Sequence, residues 1–192
     1  MERGFPVVLS SPSGGGKSTV AHALIERLSY VKRSRSMTTR AMRAGEKAGV
    51  DYDFVTREEF DRVRRAGGFI EWAEVHGNEY GTPKSFLEEE CNRGNLPLLV
   101  IDVQGGLNVR KVCPDALLVF LMPPSIEEVE KRLKNRGTEH ENDAKLRLMN
   151  APGEIAVAPE YDYIVVNAEL DKAIDQLRDI IETERRNRAQ KG

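Results

Sequence analysis

A glycine-rich segment near the amino terminus, Leu9–Thr19, constrains this chain more than any other stretch. An apolar run from Phe5 precedes it, and an amphipathic run with Val20, Leu24 and Leu28 follows it. A strand, a glycine-rich turn, a Lys-Ser pair and a helix in this order are typical of a phosphate-binding loop. Glycines let backbone N–H groups point inward, and the helix directs its positive end at the same place. The segment therefore predicts binding of a nucleoside triphosphate, the alternative being a glycine-rich turn beside a surface lysine.

Two side chains of this loop carry the chemistry that the pattern predicts. Lys17 can reach the terminal phosphates of a nucleotide. The Ser18 hydroxyl can help to hold a Mg²⁺ ion whose other ligands are mostly substrate phosphates and water. Ser11 departs from the strict pattern, G-x-x-x-x-G-K-[ST], because it stands where the first glycine belongs. We expect the loop geometry to survive this exchange.

Composition sets the broad class of the protein. Of the 192 residues, 40% are hydrophobic and 31% charged, which is typical of one folded domain. The formal net charge of −2 gives no argument for a nucleic-acid partner. No apolar stretch approaches the ~20 residues of a membrane span and no leader precedes the first strand, so no membrane partner is expected. The two cysteines, Cys91 and Cys113, lack metal-ligand spacing, which favours packing roles in a reduced cytoplasm.

Apolar runs along the rest of the chain indicate the fold. Strands are predicted at Phe5–Ser10, Leu96–Asp102, Ala116–Leu121 and Tyr163–Asn167, and helices at Ser18–Leu28 and Asp171–Arg186. Because the strand runs are continuous rather than alternating, we expect strands that are covered on both faces. The predicted fold class is therefore α/β, a parallel sheet flanked by helices, as in a phosphate-loop nucleotide-binding core.

Two segments interrupt this predicted core of a single domain, which comprises residues 1–33, 82–124 and 160–192. The first, called the insert (34–81), has short alternating pieces and a helix that begins at a capping box led by Thr56, and it predicts a small α+β unit. The second, called the lid (125–159), is helical and rich in charge. Pro152-Gly153 predicts that the lid helix ends or kinks there. We expect both segments to move against the core.

The insert carries residues that suit the capture of a phosphate group. Arg40 and Arg43 lie three residues apart in a glycine-containing, non-helical stretch, and forked guanidinium groups bind phosphate oxygens in pairs. Tyr52 and Tyr80 can each add a hydroxyl donor. Taken alone, an exposed arginine pair with solvated charges is the stronger alternative.

Glu71 lies between Ile70 and Trp72 in a mostly apolar strand. It is the residue that would determine which base the acceptor nucleotide carries. A carboxylate accepts two parallel hydrogen bonds, and guanine offers two adjacent donors, N1–H and N2–H, whereas adenine offers no such pair. A dry pocket of this kind can discriminate by ~10⁴–10⁵. Ser36 can donate to the guanine O6. An alternating strand is equally compatible with a Glu71 side chain that faces water.

Further motifs give this chain a resemblance that covers nearly its whole length. They are Thr38-Thr39-Arg40-x-x-Arg43-x-Gly45-Glu46, Asp51-Tyr52-x-Phe54, Phe69-Ile70-Glu71-Trp72-Ala73, Gly77-Asn78-x-Tyr80-Gly81-Thr82, Ile101-Asp102-Val103-Gln104-Gly105 and Arg136-Gly137-Thr138-Glu139. Together with the loop they resemble guanylate kinase, a phosphate-loop nucleoside monophosphate kinase. The resemblance implies transfer of the γ-phosphoryl group of ATP to GMP, and to dGMP, with Mg²⁺ as the cofactor.

The resemblance also implies a role for each matching residue. The ATP site comprises Ser13, Gly14, Gly15, Gly16, Lys17, Ser18, Thr19 and, near the adenine, Asn167. The catalytic residues are Lys17 and the lid arginines Arg132, Arg136 and Arg147. The GMP site comprises Ser36, Arg40, Arg43, Tyr52, Glu71, Tyr80, Thr82 and Asp102. The alternatives for Asp102 and Thr82 are helix caps, with Thr82 capping a helix that begins at Pro83.

In-line phosphoryl transfer without a protein nucleophile is the implied mechanism. Because the lid arginines would neutralise the charge on the transferred group, Arg136→Ala is expected to cut turnover far more than GMP binding. The expected partners are nucleotides alone, and the expected assembly is a monomer or homodimer. The chain departs from the family at Val100, where a second acidic residue is common, and this weakens any scheme in which two carboxylates organise Mg²⁺ there.

Two other functions share some of these features. A guanylate-kinase-like scaffold that binds a protein without catalysis is expected to have an eroded phosphate loop, whereas Lys17 and all three glycines are present here. A phosphate-loop kinase of another phosphorylated acceptor could use the same arginines, and Glu71 and Ser36 are what favour guanine.

Overall fold

The computed structural model describes residues 3–43, 45–75, 77–135 and 141–190. In chain order the strands are β1 (Val7–Ser10), β2 (Val31–Arg33), β3 (Met37–Thr38), β4 (Asp53–Phe54), β5 (Phe69–Val75), β6 (Asn78–Pro83), β7 (Leu96–Val100), β8 (Leu117–Met122) and β9 (Tyr163–Val166). The helices are α1 (Lys17–Arg27), α2 (Arg57–Arg65), α3 (Lys84–Asn92), α4 (Val103–Val112), α5 (Ile126–Asn135), α6 (Glu141–Ala156) and α7 (Leu170–Ala189), with a 3₁₀ turn at Ala158–Glu160. None of the helices in these ranges is both long and apolar enough to span a bilayer.

The larger sheet has the order β2-β7-β1-β8-β9, and every neighbouring pair is parallel. Successive residues of β1 face opposite sides of the sheet. Val7 and Leu9 pack with residues of α1 and α7, and Val8 packs with residues of α3 and α4. The predicted parallel sheet flanked by helices is therefore confirmed. The edge strand β2 was not predicted, because of its three residues Val31 alone is buried.

The smaller sheet lies within the insert and has the order β4-β3-β6-β5. Helix α2 packs on this sheet through Phe60, whose ring lies 4.6 Å from the ring of Phe69, centroid to centroid. Thr56 caps this helix as predicted, because its hydroxyl accepts a hydrogen bond of 3.1 Å from the Glu59 N–H. Trp72 of β5 is partly exposed and its ring lies under the guanidinium of Arg64, at 4.8 Å. The insert thus has an apolar centre of its own.

Helices α5 and α6 occupy the lid. Of the two predicted effects of Pro152-Gly153, an end of the lid helix is wrong, because α6 runs through both residues to Ala156, and a kink stays a prediction. The buried side chain of Ala151 anchors this stretch, whereas Pro152 and Gly153 are exposed. A proline ring that faces solvent costs the helix one hydrogen bond without a clash in the core.

Candidate active site

Backbone atoms build the loop that follows β1. Gly14 and Gly16 adopt positive φ angles of 80° and 93°, which turn the chain before α1 begins at Lys17. The Gly15 N–H donates to the Pro12 carbonyl at 3.0 Å. The Lys17 ammonium donates back to the Ser11 carbonyl at 2.7 Å, so the lysine lies folded over the loop. This arrangement directs N–H groups and one positive charge at a single place.

Ser11 fits the loop because residue 15 is glycine. The Ser11 side chain is buried and donates to the Pro12 carbonyl at 2.9 Å. A Cβ atom on Gly15 would lie 2.5 Å from the Ser11 Oγ and 2.8 Å from its Cβ. The missing side chain at Gly15 therefore provides the space that the serine occupies, and the loop keeps its turn despite the absent first glycine.

Asn167, which lies outside the loop, holds the loop by a hydrogen bond, and Arg132 in turn holds Asn167. The buried Asn167, just after β9, donates from its side-chain amide to the Gly15 carbonyl at 2.9 Å. Arg132 of α5 donates to the Asn167 carbonyl at 3.4 Å and to Glu128 at 2.9 Å. A Cβ on Gly16 would lie 2.5 Å from the Asn167 amide nitrogen, so this close contact needs glycine.

A cleft of about 600 Å³ lies between the loop, the insert and α6. It brings together ten of the predicted residues: Ser13, Lys17, Ser36, Arg40, Arg43, Tyr52, Glu71, Tyr80, Asp102 and Arg147. The predicted residues that do not line it are Gly14, Gly15, Gly16, Ser18, Thr19, Thr82, Arg132 and Asn167. Arg136 lies outside the described residues. The glycine-rich loop and the insert residues predicted to bind GMP thus share one cavity.

On the insert side, Arg40 is held by a carboxylate. Its two terminal nitrogens donate to Glu46 at 2.8 and 3.0 Å, and its Nε donates to the Tyr80 hydroxyl at 3.1 Å. Burial lowers the pKa of the Arg40 guanidinium, but the hydrogen bonds with Glu46 and Tyr80 raise it overall. The Arg43 N–H also donates to Glu46, at 2.8 Å, and Arg40 lies 5.5 Å from the centre of the Tyr52 ring. Glu46 thereby orients the Arg40 guanidinium and holds the backbone at Arg43.

Glu71 is buried, so the alternative in which it faces water is wrong. The residue is 8% exposed, and its Oε1 accepts a hydrogen bond of 2.6 Å from the Thr82 hydroxyl. Burial raises the pKa of the Glu71 carboxyl to about 7, and the nearby charge of Asp102 adds to this effect. Gly105 allows α4 to approach, since a Cβ there would lie 3.3 Å from the Glu71 Oε2.

Thr82 lies behind Glu71 and does not cap a helix. The prediction that it is the N-cap of α3 is wrong, because Pro83 holds that position. Thr82 is fully buried in β6, and its hydroxyl lies 2.6 Å from Glu71 and 3.4 Å from the Ser36 hydroxyl. Three side chains that were predicted to read guanine are therefore in one hydrogen-bonded row.

Asp102 combines a cap with a position in the cleft. Its Oδ1 accepts a hydrogen bond of 2.8 Å from the Gly105 N–H, which makes it the N-cap of α4, as the alternative predicted. The same residue lines the cleft. Its carbonyl accepts from the Ser10 hydroxyl at 3.1 Å, which ties the end of β1 to the start of α4.

Comparison with known proteins gives one consistent answer. The guanylate kinase family model matches residues 3–184. A guanylate kinase of Caldanaerobacter subterraneus subsp. tengcongensis is 42% identical over 184 residues, 96% of this chain and 89% of the relative. A guanylate kinase of Streptococcus thermophilus is 45% identical over 95% of this chain and 88% of its own length. The chain belongs to the guanylate kinase family.

A solved structure agrees with this membership. The crystal structure of guanylate kinase from Anaplasma phagocytophilum superposes with a TM-score of 0.80 at 40% identity, covering 96% of this chain and 87% of that one. The resemblance inferred from the motifs is thereby confirmed for the family and for the fold. The roles of individual residues stay predictions.

The residues of this guanylate kinase family member suit a magnesium ion that depends on its substrate. The Ser18 hydroxyl is an exposed oxygen donor in the first turn of α1, beside Lys17. Within the described ranges, no cluster of three His, Cys, Asp or Glu side chains could hold a metal ion unaided. Mg²⁺ ordinarily keeps few protein ligands and takes the rest from phosphates and water, so the donor set fits.

Three carboxylates that line the cleft, Glu46, Glu74 and Glu154, were missed by the sequence reasoning. Glu46 was read only as part of a motif, although its bidentate pairing with Arg40 follows the usual geometry of an Arg–carboxylate pair. Glu154 of α6 accepts a hydrogen bond of 3.1 Å from the Ser13 N–H in the loop. No local sequence signal predicts the second contact, because 141 residues separate its two partners.

Proposed function

We propose that this protein is an ATP:GMP phosphotransferase, which transfers the γ-phosphoryl group of ATP to GMP, and to dGMP, to give ADP and GDP. The observation that carries the proposal is the shared cleft, in which Lys17 of the phosphate loop and the buried carboxylate of Glu71 line one cavity of about 600 Å³. An enzyme that joins two nucleotides needs a phosphate-binding loop and a base-reading site within reach of each other. Family membership supports the same reaction.

On the acceptor side, the proposed roles follow from the side-chain chemistry. Glu71 accepts the guanine N1–H and N2–H, while Thr82 fixes the orientation of its carboxylate from behind. Ser36 donates to the guanine O6. Arg40, Arg43, Tyr52 and Tyr80 take the phosphate of GMP, for which Arg40 must share its guanidinium with Glu46 or release it. Asp102 approaches the same nucleotide from α4.

On the donor side, the backbone N–H groups of residues 13–19 hold the phosphates of ATP and Lys17 neutralises their charge. Ser18 is the residue that would hold Mg²⁺, which when bound would neutralise negative charge on the phosphates. Asn167 is assigned to the adenine side of the loop. Arg132, Arg136 and Arg147 of the lid are assigned to the charge that spreads over the transferred group.

The chemical step requires positioning more than covalent help. An oxygen of the GMP phosphate forms a bond to the γ-phosphorus as the bond from that phosphorus to the β–γ bridging oxygen breaks. The acceptor is already anionic, so no general base is required. Exclusion of water by the insert and the lid would keep ATP from hydrolysis, because water is the competing acceptor.

The setting that we propose is the cytoplasm, where the half-buried Cys113 and the buried Cys91 stay reduced. The proposed partners are ATP and GMP, and the assembly is a monomer or homodimer. The division into core, insert and lid is proposed with the boundaries given above. The scaffold alternative gains no support, because Lys17 and the positive-φ glycines of the loop are intact.

The test is an acceptor panel. ADP release from ATP and Mg²⁺ would be measured with GMP, dGMP, AMP, UMP and ribose 5-phosphate. We expect turnover with GMP and dGMP and little with the others, because only guanine offers the two donors that Glu71 requires. Equal rates with AMP and GMP would refute the assignment. Turnover confined to ribose 5-phosphate would favour the kinase of another phosphorylated acceptor.

A further inference from the structure

Helix α6 places a negative charge on the loop that should bind phosphate. The Ser13 N–H donates to the Glu154 Oε2 at 3.1 Å. Successive N–H groups of such a loop form a concave site for anionic oxygen. A carboxylate is the side chain whose charge and acceptor geometry are closest to those of a phosphate oxygen. One donor of the proposed ATP site is therefore satisfied by the protein itself.

The position of Ser13 indicates which phosphate competes with this carboxylate. Ser13 lines the cleft together with Arg40 and Glu71, whereas Gly15 and Gly16 do not. The N–H of Ser13 thus belongs to the side of the loop that faces the acceptor residues. In ATP the phosphoryl group on that side is the terminal one, because it is the group to be transferred. ADP has no phosphoryl group there.

The same face of α6 also presents groups of the opposite kind. Arg147, Asn150 and Glu154 all line the cleft, and their spacing of three and four residues puts them on one face of the helix. Arg147 attracts phosphate and Glu154 repels it. The position of α6 against the loop therefore decides which of the two charges a bound nucleotide meets.

The helix is weak just before Glu154. Pro152 has no N–H, so the carbonyl of Leu148 loses its partner within the helix. A Cβ on Gly153 would meet no atom within 4 Å, so packing does not require glycine there. Glycine does add backbone freedom, and both residues are exposed. The last turn of α6 can therefore move without disturbing the buried Ala151.

We propose that Glu154 acts as an internal competitor for the terminal phosphoryl group of ATP. Its carboxylate holds the Ser13 N–H when no triphosphate is bound and leaves when ATP enters. After transfer the carboxylate returns to the N–H, which favours release of ADP. The inference rests on the proposed function, since it takes the loop as the ATP site. The contact lowers the apparent affinity for ATP by the fraction of molecules in which the N–H is free.

The test compares triphosphate and diphosphate binding by the full chain. Glu154→Gln removes the charge, and Glu154→Asp keeps the charge but is one methylene too short to reach the N–H. Affinities for the ATP analogue AMP-PNP with Mg²⁺, and for ADP with Mg²⁺, would be measured by calorimetry. We expect both variants to bind AMP-PNP on the order of tenfold more tightly and ADP with little change. Glu160→Gln, an exposed carboxylate in the 3₁₀ turn, is the matched control.

Each other outcome is decisive. Tighter binding by Glu154→Gln alone would mean that the charge acts through space and would overturn the proposed contact. Equal tightening of AMP-PNP and ADP would overturn the assignment to the terminal phosphoryl group, and no tightening would overturn the proposal as a whole. Failure of the native protein and the control to bind AMP-PNP would refute the proposed function instead. A parallel GMP titration checks that each variant is folded.

Discussion

The two sides of the cleft are built from different kinds of atoms. The side proposed to bind the phosphoryl donor presents backbone N–H groups from a loop fixed between a central strand of the parallel sheet and α1. The shape of this loop depends on the absence of a Cβ atom, above all at Gly15 and Gly16. The acceptor side presents side chains from the small sheet of the insert, and these hold one another, as Glu46 holds Arg40 and Thr82 holds Glu71.

This difference has consequences for specificity. A backbone site recognises charge and shape, which all nucleoside triphosphates share. A buried side chain such as Glu71 recognises a pattern of donors, because a substrate without them leaves the carboxylate unpaired. Selectivity should therefore be concentrated on the acceptor side and charge neutralisation on the donor side. Four predictions test this separation.

The largest effect is expected at the one charged side chain that the loop directs at phosphate. Lys17→Met should lower kcat by at least ~10²–10³, the usual loss when a group that stabilises transition-state charge is removed. The Kd for GMP should stay nearly constant, because Lys17 belongs to the loop, where it donates to the Ser11 carbonyl, and is not among the residues proposed to bind GMP. Steady-state rates and GMP titrations would measure both quantities. Lys172→Met, on the exposed surface of α7, is the control. A matching loss of GMP affinity would show that the two sides are not separable.

Glu71→Gln should lower kcat/KM for GMP by ~10–10³, because two hydrogen bonds to a charged acceptor are weakened. The rate with AMP should not fall, so the ratio of kcat/KM for GMP to kcat/KM for AMP should decrease. The acceptor panel described above is the measurement, and Glu58→Gln, an exposed carboxylate of the insert, is the control. An unchanged ratio would move base selection to another residue.

The same substitution should stabilise the free protein at high pH. Burial raises the pKa of Glu71 from 4.5 to about 7, so the folded state holds more protons than the unfolded state between these values. The destabilisation caused by the buried charge of Glu71 is absent below pH 4.5 and fully present above about pH 7. The free energy of unfolding of Glu71→Gln should therefore exceed that of the native protein by up to ~3 kcal/mol at pH 8.

Urea denaturation at pH 5, 6 and 8 would measure this difference. We expect it to shrink steadily toward pH 5, because the native carboxyl becomes neutral there. A difference of equal size at all three pH values would mean that packing, and not ionisation, is responsible. The charge of the buried Glu71 carboxylate would then not be what destabilises the folded protein.

The smallest effect concerns the fit between Ser11 and Gly15. Gly15→Ala should destabilise the native protein by ~1–3 kcal/mol, because the new Cβ would lie 2.5 Å from the Ser11 Oγ. The same change in a Ser11→Gly background should cost at least ~1 kcal/mol less. Thermal or urea unfolding of the four proteins gives this coupling. Strictly additive free energies would mean that the backbone of the loop moves to accommodate the new Cβ. That result would contradict a loop whose shape depends on the missing side chain at Gly15.

The sequence predicted those parts of the molecule that are specified locally. Continuous apolar runs indicated β7 and β8, and the order of glycines, Lys17 and an amphipathic run indicated the loop. The cap at Thr56 was equally readable, because all of its atoms lie within one turn. The strand β2 was missed, because a single buried valine gives no periodic pattern of apolar residues.

The proposed acceptor site was harder to predict from the sequence, because its contacts join residues of different strands and helices. Alternation put Glu71 on one face of β5 but could not tell which face packs against α4. Thr82 showed a helix-cap pattern, yet its hydroxyl pairs with Glu71 on the neighbouring strand. The contact of Glu154 with Ser13 depends on how α6 rests against the loop, and residue types alone do not determine that.

Trp72 gives the molecule an optical reporter on one side only. It is the single tryptophan of the chain, it follows Glu71 directly, and its indole is partly exposed beneath the Arg64 guanidinium. Emission excited in the indole band therefore originates in the insert sheet and not in the phosphate loop. Titration with GMP can be followed by this signal without a label, and a response to ATP alone would report that the donor loop communicates with the insert.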